Sequence, residues 1–389
     1  MPGGRRWALS VALFAVAFGT NVSTPLLLRY QDRLDLSTFT TTALFAVYPL
    51  GLLPTLLWSG PASDAYGRAR VMTPGLVASA VASVVMLAGK NHLWALFAGR
   101  MLLGAVSGLV FVTASAWMQE VDRERTADPL WPARLTGILM YAGFGGGPLV
   151  GGVLGQWGPA PFVSPYLVHI ALVLVGFATL RLVPESVVDP PGGPVRPQLG
   201  VPTAVRGHFV AVVVPTALAV FGFASLAMGL FPVLLRPAMR DVAVFASGLI
   251  GALISGAIVV AQRVVARIGV GRSSPLALAL GSAGCAIGVI AFGLDVWPLV
   301  FPAALCLGGA SGLAVTAGLR MVDLLTAPAT RGAMTGSFYA VAYAAMTMPA
   351  LVAAVARSTT GYVVVLAAMA VVSAGAAAWL TRAAPRLAA

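Results

Sequence analysis

The sequence predicts an all-α membrane protein of twelve transmembrane helices in two six-helix, pseudo-symmetric bundles. Three observations predict it. The chain of 389 residues is 59% hydrophobic and only 9% charged, with mean hydropathy +0.92, whereas soluble domains carry about 25% charged residues. Apolar windows of about 20 residues, the length that crosses a bilayer as a helix, recur along it. A polar, Pro/Gly-rich stretch from Val183 to Gly207 divides these windows six and six.

Taken in order, Arg5 and Arg6 precede an apolar run from Trp7 to Leu28. The run is too long for a signal-peptide core, no A-x-A site follows it, and many spans come later, so it reads as span 1. Further spans fall near 38–58, 71–89, 93–118, 134–155 and 165–182, then 208–230, 243–262, 274–294, 297–319, 333–355 and 359–381. The prolines and glycines of the central stretch argue against a continuing helix. The domains therefore read as an N-terminal bundle 1–182, a cytoplasmic linker 183–207 and a C-terminal bundle 208–389.

Of the 24 Lys and Arg, seventeen fall in the segments shared with the termini, six in the opposite segments, and Arg100 lies inside a span. The positive-inside rule then puts both termini in the cytoplasm. Only Lys90 is a lysine, among abundant Ala, Gly and Val, a composition associated with bacterial genes; a bacterial cytoplasmic membrane is the expected location. A net charge of +12 would suggest nucleic acid for a soluble protein; here the arginines follow topology, and no nucleic-acid partner is expected. Cys285 and Cys306 sit in apolar runs without metal-ligand spacing and read as small fillers. No metal, no cofactor and a monomer are expected.

Four motif sites carry chemistry. The stretch W-S-G-P-A-S-D-A-Y-G-R-A-R-V, Trp58 to Val71, reads as a short polar loop between spans 2 and 3. Asp64 and Arg68 are one helical turn apart and can pair, and Asp64 also suits the positive N-terminus of a neighbouring helix. Ala266–Arg272 echoes this loop, with Gly269 opposite Gly67 and the acid missing, which suggests duplicated halves. In span 5, Gly143, Gly147, Gly151 and Gly155 recur every four residues and form a groove for a close helix. Pro148 interrupts its hydrogen-bonding, and Gly248, Ala252 and Gly256 of span 8 offer a matching small face. Arg100 lies about 10 Å inside span 4 at 1.5 Å per residue, ahead of Gly104 and Gly108. An intramembrane Arg is costly and marks function, unless it snorkels to the headgroups. Span 1 carries Gly19 and Pro25, with Asn21 between them.

The ordered set resembles the major facilitator superfamily of secondary transporters. Gly60, Asp64, Gly67, Arg68 and Arg70 match its signature loop, though Ala62, Ala65 and Ala69 depart from the usual pattern. The resemblance implies a cytoplasmic latch completed by Glu120 or Asp122. Gly147, Pro148, Gly151 and Gly152, with Gly143, resemble the span-5 motif of the twelve-span drug/proton antiporter branch. Gly19 and Pro25 resemble its span-1 motif, with Leu27 in place of the usual second proline. Arg100 resembles the span-4 arginine linked to proton transfer.

None of the twelve acids lies mid-span. Asp32, just beyond span 1, is either the proton-responsive acid modulated by Arg100 or a solvated loop acid beside Arg29 and Arg33. His169 in span 6 could titrate near neutrality, but the resemblance makes that span peripheral and His169 structural. Candidate cavity residues are Asn21, Tyr48, Tyr141, Phe221, Phe223, Tyr339 and Tyr343, either lining for an amphipathic ligand or plain packing. The expected function is proton-driven efflux of a small amphipathic compound. The alternatives are an importer of a sugar or metabolite, or a membrane enzyme or lipid flippase; no HExxH or GxSxG motif supports an enzyme.

Overall fold

The computed structural model describes residues 2–122, 131–197 and 199–383. Among them every regular element is helical. Eleven helices are long and apolar enough to cross a membrane, and the seventeen-residue Ser164–Leu180 is a shorter apolar helix. At 1.5 Å per residue the latter rises about 25 Å. Residues group into two compact units, 1–36 with 47–197 and 247–249, and 37–46 with 198–246 and 250–389.

The first unit contains α1 (Pro2–Val22), α2 (Leu27–Arg33), α4 (Tyr48–Tyr66), α5 (Arg68–Ala88), α6 (Leu93–Asp122), α7 (Trp131–Trp157) and α8 (Ser164–Leu180); α3 (Thr38–Ala46) belongs to the second. Span 1 is not continuous. Pro25 has no N–H to donate, and the chain turns over residues 23–26 before α2 begins. Span 2 divides at Val47, just ahead of Pro49. The expected polar loop from Trp58 to Val71 is mostly helix. α4 runs to Tyr66, with Ser59 and Ser63 hydroxyls donating back to Leu56 and Gly60 carbonyls. The turn into α5 is Gly67 alone, at φ +101°.

The core of this unit joins Leu9, Leu13 and Val16 of α1 to Met72 and Leu76 of α5 and to Val110, Phe111 and Trp117 of α6. In an ordinary water-soluble domain the opposite faces would be polar. Here they expose Val77, Val81, Val84, Leu174 and Val175, which suits lipid contact.

The second unit holds α3, α9 (Arg206–His208), α10 (Val214–Ser225), α11 (Phe231–Leu235), α12 (Ala243–Ile268), α13 (Val270–Gly293), α14 (Val300–Leu325), α15 (Pro328–Ala344), α16 (Met348–Val355) and α17 (Thr359–Ala383). The span expected at 208–230 extends to Leu235 and contains two π segments, Phe209–Val213 and Leu226–Leu230. Each sits just before a proline, Pro215 and Pro232, whose missing donor disturbs the regular ladder. Gly308 and Gly312 of α14 lie against Ile254 and Ile258 backbone on α12. The Ser282 hydroxyl donates to the Ala370 carbonyl at 2.7 Å and ties α13 to α17.

Gly269 joins α12 to α13 at φ +77°, as Gly67 joins α4 to α5. Both positions therefore disfavour an L side chain. They differ in surroundings: a Cβ at Gly67 would lie 2.8 Å from Glu185 Oε2, whereas nothing lies within 4 Å at Gly269. Gly269→Ala should lower the thermal unfolding midpoint by an amount matching about 1–2 kcal/mol of left-handed strain, and Gly67→Ala by clearly more. Equal shifts in detergent-solubilised protein would contradict the assigned contact.

Candidate functional site

The break in span 1 makes a site. With Pro25 unable to donate, the Thr24 N–H turns to the Asn21 carbonyl at 3.0 Å. The Thr20 carbonyl instead accepts from Arg100 Nη1 at 3.0 Å, and Ser23 Oγ lies 3.5 Å from the same nitrogen. Arg100 is fully buried, so it does not snorkel. Its Cζ lies 5.4 Å from the centre of the Tyr48 ring, a cation–π contact worth about 2 kcal/mol when desolvated. Thr20 Oγ1 and Ser107 Oγ are 3.0 Å apart beside it. Arginine keeps its charge in proteins; this charge is held by a carbonyl, hydroxyls and a ring face. Asn21 is half-buried at the break.

The glycines after Arg100 let span 2 close onto it. A Cβ at Gly104 would meet the Tyr48 carbonyl oxygen, and one at Gly108 the Leu52 carbonyl at 2.6 Å. Ser59 Oγ donates to the Gly108 carbonyl at 3.0 Å. Beyond the break, α2 is pinned on three sides. The Tyr30 and Tyr166 hydroxyls meet at 2.9 Å, Arg29 Nη2 donates to the Gln156 carbonyl at 3.1 Å, and Arg33 Nε donates to the Lys90 carbonyl at 2.6 Å. Asp32 is exposed on this helix.

The glycine stripe of span 5 also has a partner that the sequence did not suggest. Gly143, Gly147 and Gly151 lie on span 1, facing the backbone of Phe18 and Val22. Gly248, which groups with the first unit, meets the adjacent Pro148 and Gly152. Helix α7 continues through Pro148. Gly19 abuts the His169 ring, whose Nδ1 is 2.6 Å from Ser83 Oγ and Nε2 3.3 Å from Ser79 Oγ. His169 is fully buried and sits against Phe18, a geometry that locks α8 to α1 and α5.

At the α4–α5 turn, Arg68 is buried. Its Nη2 and Nε take Glu120 Oε1 and Oε2 at 2.6 and 3.1 Å, a bidentate pair. Its Nη1 takes Asp64 at 2.5 Å and Ser63 Oγ at 2.5 Å. Gly60 is half-buried and Arg70 exposed. The side chain of Asp122 lies outside the described residues. Asp64 does not cap α5. Glu185 does: Oε1 accepts from Arg68 N and Oε2 from Ala69 N, each at 2.9 Å. Ser186 Oγ donates to Glu120 Oε2 at 2.5 Å, Tyr66 to the Gly193 carbonyl at 2.8 Å, and Gly192 N to the Ala65 carbonyl at 2.9 Å. Sequence reasoning missed Glu185; the Pro184–Glu185 step directly after span 6 was its one local signal.

In the second unit, Phe221 stacks on Tyr343 with centroids 4.3 Å apart, and Tyr339 lies 6.0 Å from Tyr343. Phe223 points elsewhere, its ring filling the space beside Gly281 of α13; it packs the unit. In the first unit Tyr141 meets Phe144 edge-on at 5.8 Å. Arg236, beyond the end of α11, has its pKa lowered by burial and then by Arg240.

Residues 9–346 match the family profile of the Major Facilitator Superfamily. Over 183 residues the chain is 31% identical to the class D tetracycline resistance protein of Salmonella ordonez, covering 46% of this chain and 43% of that one. The chain thus spans less than half the length of the curated relatives it matches. Its fold is similar to a crystal structure of a POT peptide transporter, TM-score 0.82 at 12% identity, covering 98% of this chain and 94% of that one. It is also similar to a nucleoside transporter, TM-score 0.70 at 12% identity, covering 98% and 99%. A multi-pass helical chain that this profile matches over most of its length belongs to the Major Facilitator Superfamily.

Proposed function

We propose that the protein exports a small amphipathic compound in exchange for protons, by alternating access between bundles 1–182 and 208–389 joined by the linker 183–207. The observation that carries this reading is Arg100: a fully buried charge held at the break of span 1. An intramembrane charge costs about 2.5–3.5 kcal/mol, so its retention argues for a working role. Asp32 stands on α2, the helix that the break redirects, and is the carboxylate we assign to the proton. The Gly147–Gly152 motif and the partial identity to tetracycline resistance proteins support export. Phe221, Tyr339 and Tyr343, with Asn21, Tyr48 and Tyr141, supply weakly polar surface for the substrate. The cluster of Gly60, Asp64, Gly67, Arg68, Arg70 and Glu120, with Asp122, serves as the cytoplasmic latch. The membrane is the bacterial cytoplasmic one, with both termini inside.

Transport in proteoliposomes with an imposed pH gradient, using lipophilic cations and small antibiotics, tests this. Export should collapse with the gradient. Arg100→Ala should reduce it about tenfold or more, the worth of a buried charge-assisted hydrogen bond, at unchanged membrane insertion. Asp32→Asn should leave transport that no longer responds to the gradient; retained coupling removes Asp32 from the mechanism. Substrate uptake without proton movement would overturn the exporter assignment.

The aromatic cluster is separable from packing. Phe221→Ala and Tyr343→Ala should each raise KM about two- to tenfold, the range of one aromatic stack. Phe223→Ala should lower the thermal midpoint and leave KM unchanged. A KM effect confined to Phe223→Ala would reverse these roles.

A further inference from the structure

A cleft of about 460 Å³ opens in the second unit, a size within the ~300–1,000 Å³ of small-molecule sites. Its walls are Ser37, Thr38 and Phe39 where α3 begins, three alanines at the end of α16, and Arg357 and Tyr362 around the start of α17. Every one of these residues stands at or near the end of a membrane-crossing helix. The cleft therefore lies where hydrocarbon gives way to water.

Its chemistry is one-sided. Arg357 is exposed and is the one charged side chain in the lining. No carboxylate lines the cleft, and among the described residues none pairs with Arg357. Thr38 and Tyr362 bring side-chain hydroxyls to its wall. A guanidinium fork beside hydroxyls suits a phosphate, to which it can donate two bonds.

The surroundings add a second requirement. Ala354 lines the cleft, and Leu351, three residues before it, is its neighbour on the surface of α16. Leu351 is 58% exposed. A free anion would make no use of this apolar side chain. An acyl chain would cover it.

We propose that the cleft between α3, α16 and α17 binds an anionic phospholipid, its phosphate on Arg357 beside Tyr362 and Thr38 and an acyl chain against Leu351. A zwitterionic headgroup would bring a cation towards Arg357 and is disfavoured. The proposal is independent of the exported substrate and of the proton pathway.

The test uses the full chain in neutral detergent, titrated with dioctanoyl phosphatidylglycerol, dioctanoyl phosphatidylcholine or inorganic phosphate. Binding is read by native mass spectrometry and by the ligand-dependent thermal shift. Phosphatidylglycerol should bind tightest. Arg357→Gln should weaken it about tenfold, the loss of one charge-assisted contact, with the unliganded midpoint unchanged. Leu351→Asn should weaken lipid binding and leave phosphate binding unaltered, and Tyr362→Phe provides a second, conservative variant on the headgroup side. Equal affinity for the two lipids, or equal lipid affinity in Arg357→Gln and the parent chain, would overturn the site. Inorganic phosphate binding as tightly as phosphatidylglycerol would overturn the lipid assignment.

Discussion

The bond from Arg100 to the Thr20 carbonyl is the interaction on which the first unit depends. A guanidinium inside a bilayer needs acceptors, and a regular helix has none to spare because each carbonyl already serves the N–H four residues on. Pro25 changes that. It disturbs the ladder of span 1, and the carbonyl released one turn earlier becomes the acceptor for Arg100. The break and the charge explain each other. The hydroxyls of Ser107 and Thr20 and the ring of Tyr48 complete a polar pocket among apolar neighbours.

Close helix approach supplies the rest of the precision. Gly104 and Gly108 bring the backbone of span 2 against span 4, which is how the Tyr48 ring comes to lie beside the Arg100 guanidinium. Gly143, Gly147 and Gly151 bring span 5 against span 1 in the same way. Gly19 leaves room for the His169 ring, which satisfies itself on Ser79 and Ser83. In a membrane, where apolar burial gives little preference among helix pairs, such backbone contacts and scattered hydrogen bonds decide which helices meet.

Much of the fold was legible because it rests on composition. Apolar windows of bilayer length predict helices wherever they occur, and the structure has them. The break in span 1 was half legible: Pro25 marked it, but a single proline does not reveal that the released carbonyl meets Arg100. The helical character of residues 58–66 was hidden, because Ser59, Ser63 and Asp64 read as loop residues until their side chains are seen bonded to the helix itself or to Arg68. Glu185 was barely legible, with only the Pro184–Glu185 step after span 6 to mark it. A helix cap supplied from more than a hundred residues away leaves nothing beside itself that names the helix it caps. Phe221 and Phe223, two residues apart on span 7, looked equivalent, and only the position of Gly281 separates them.

The single-residue turns at Gly67 and Gly269 have a genetic consequence. Each reverses the chain with one residue of mirror-image backbone handedness, which glycine alone among the coded residues adopts without strain. Every amino acid one base change away from a glycine codon carries a Cβ of the ordinary hand. Neither turn therefore has a conservative neighbour in sequence space. These two codons should resist drift even where the polar residues around them vary freely.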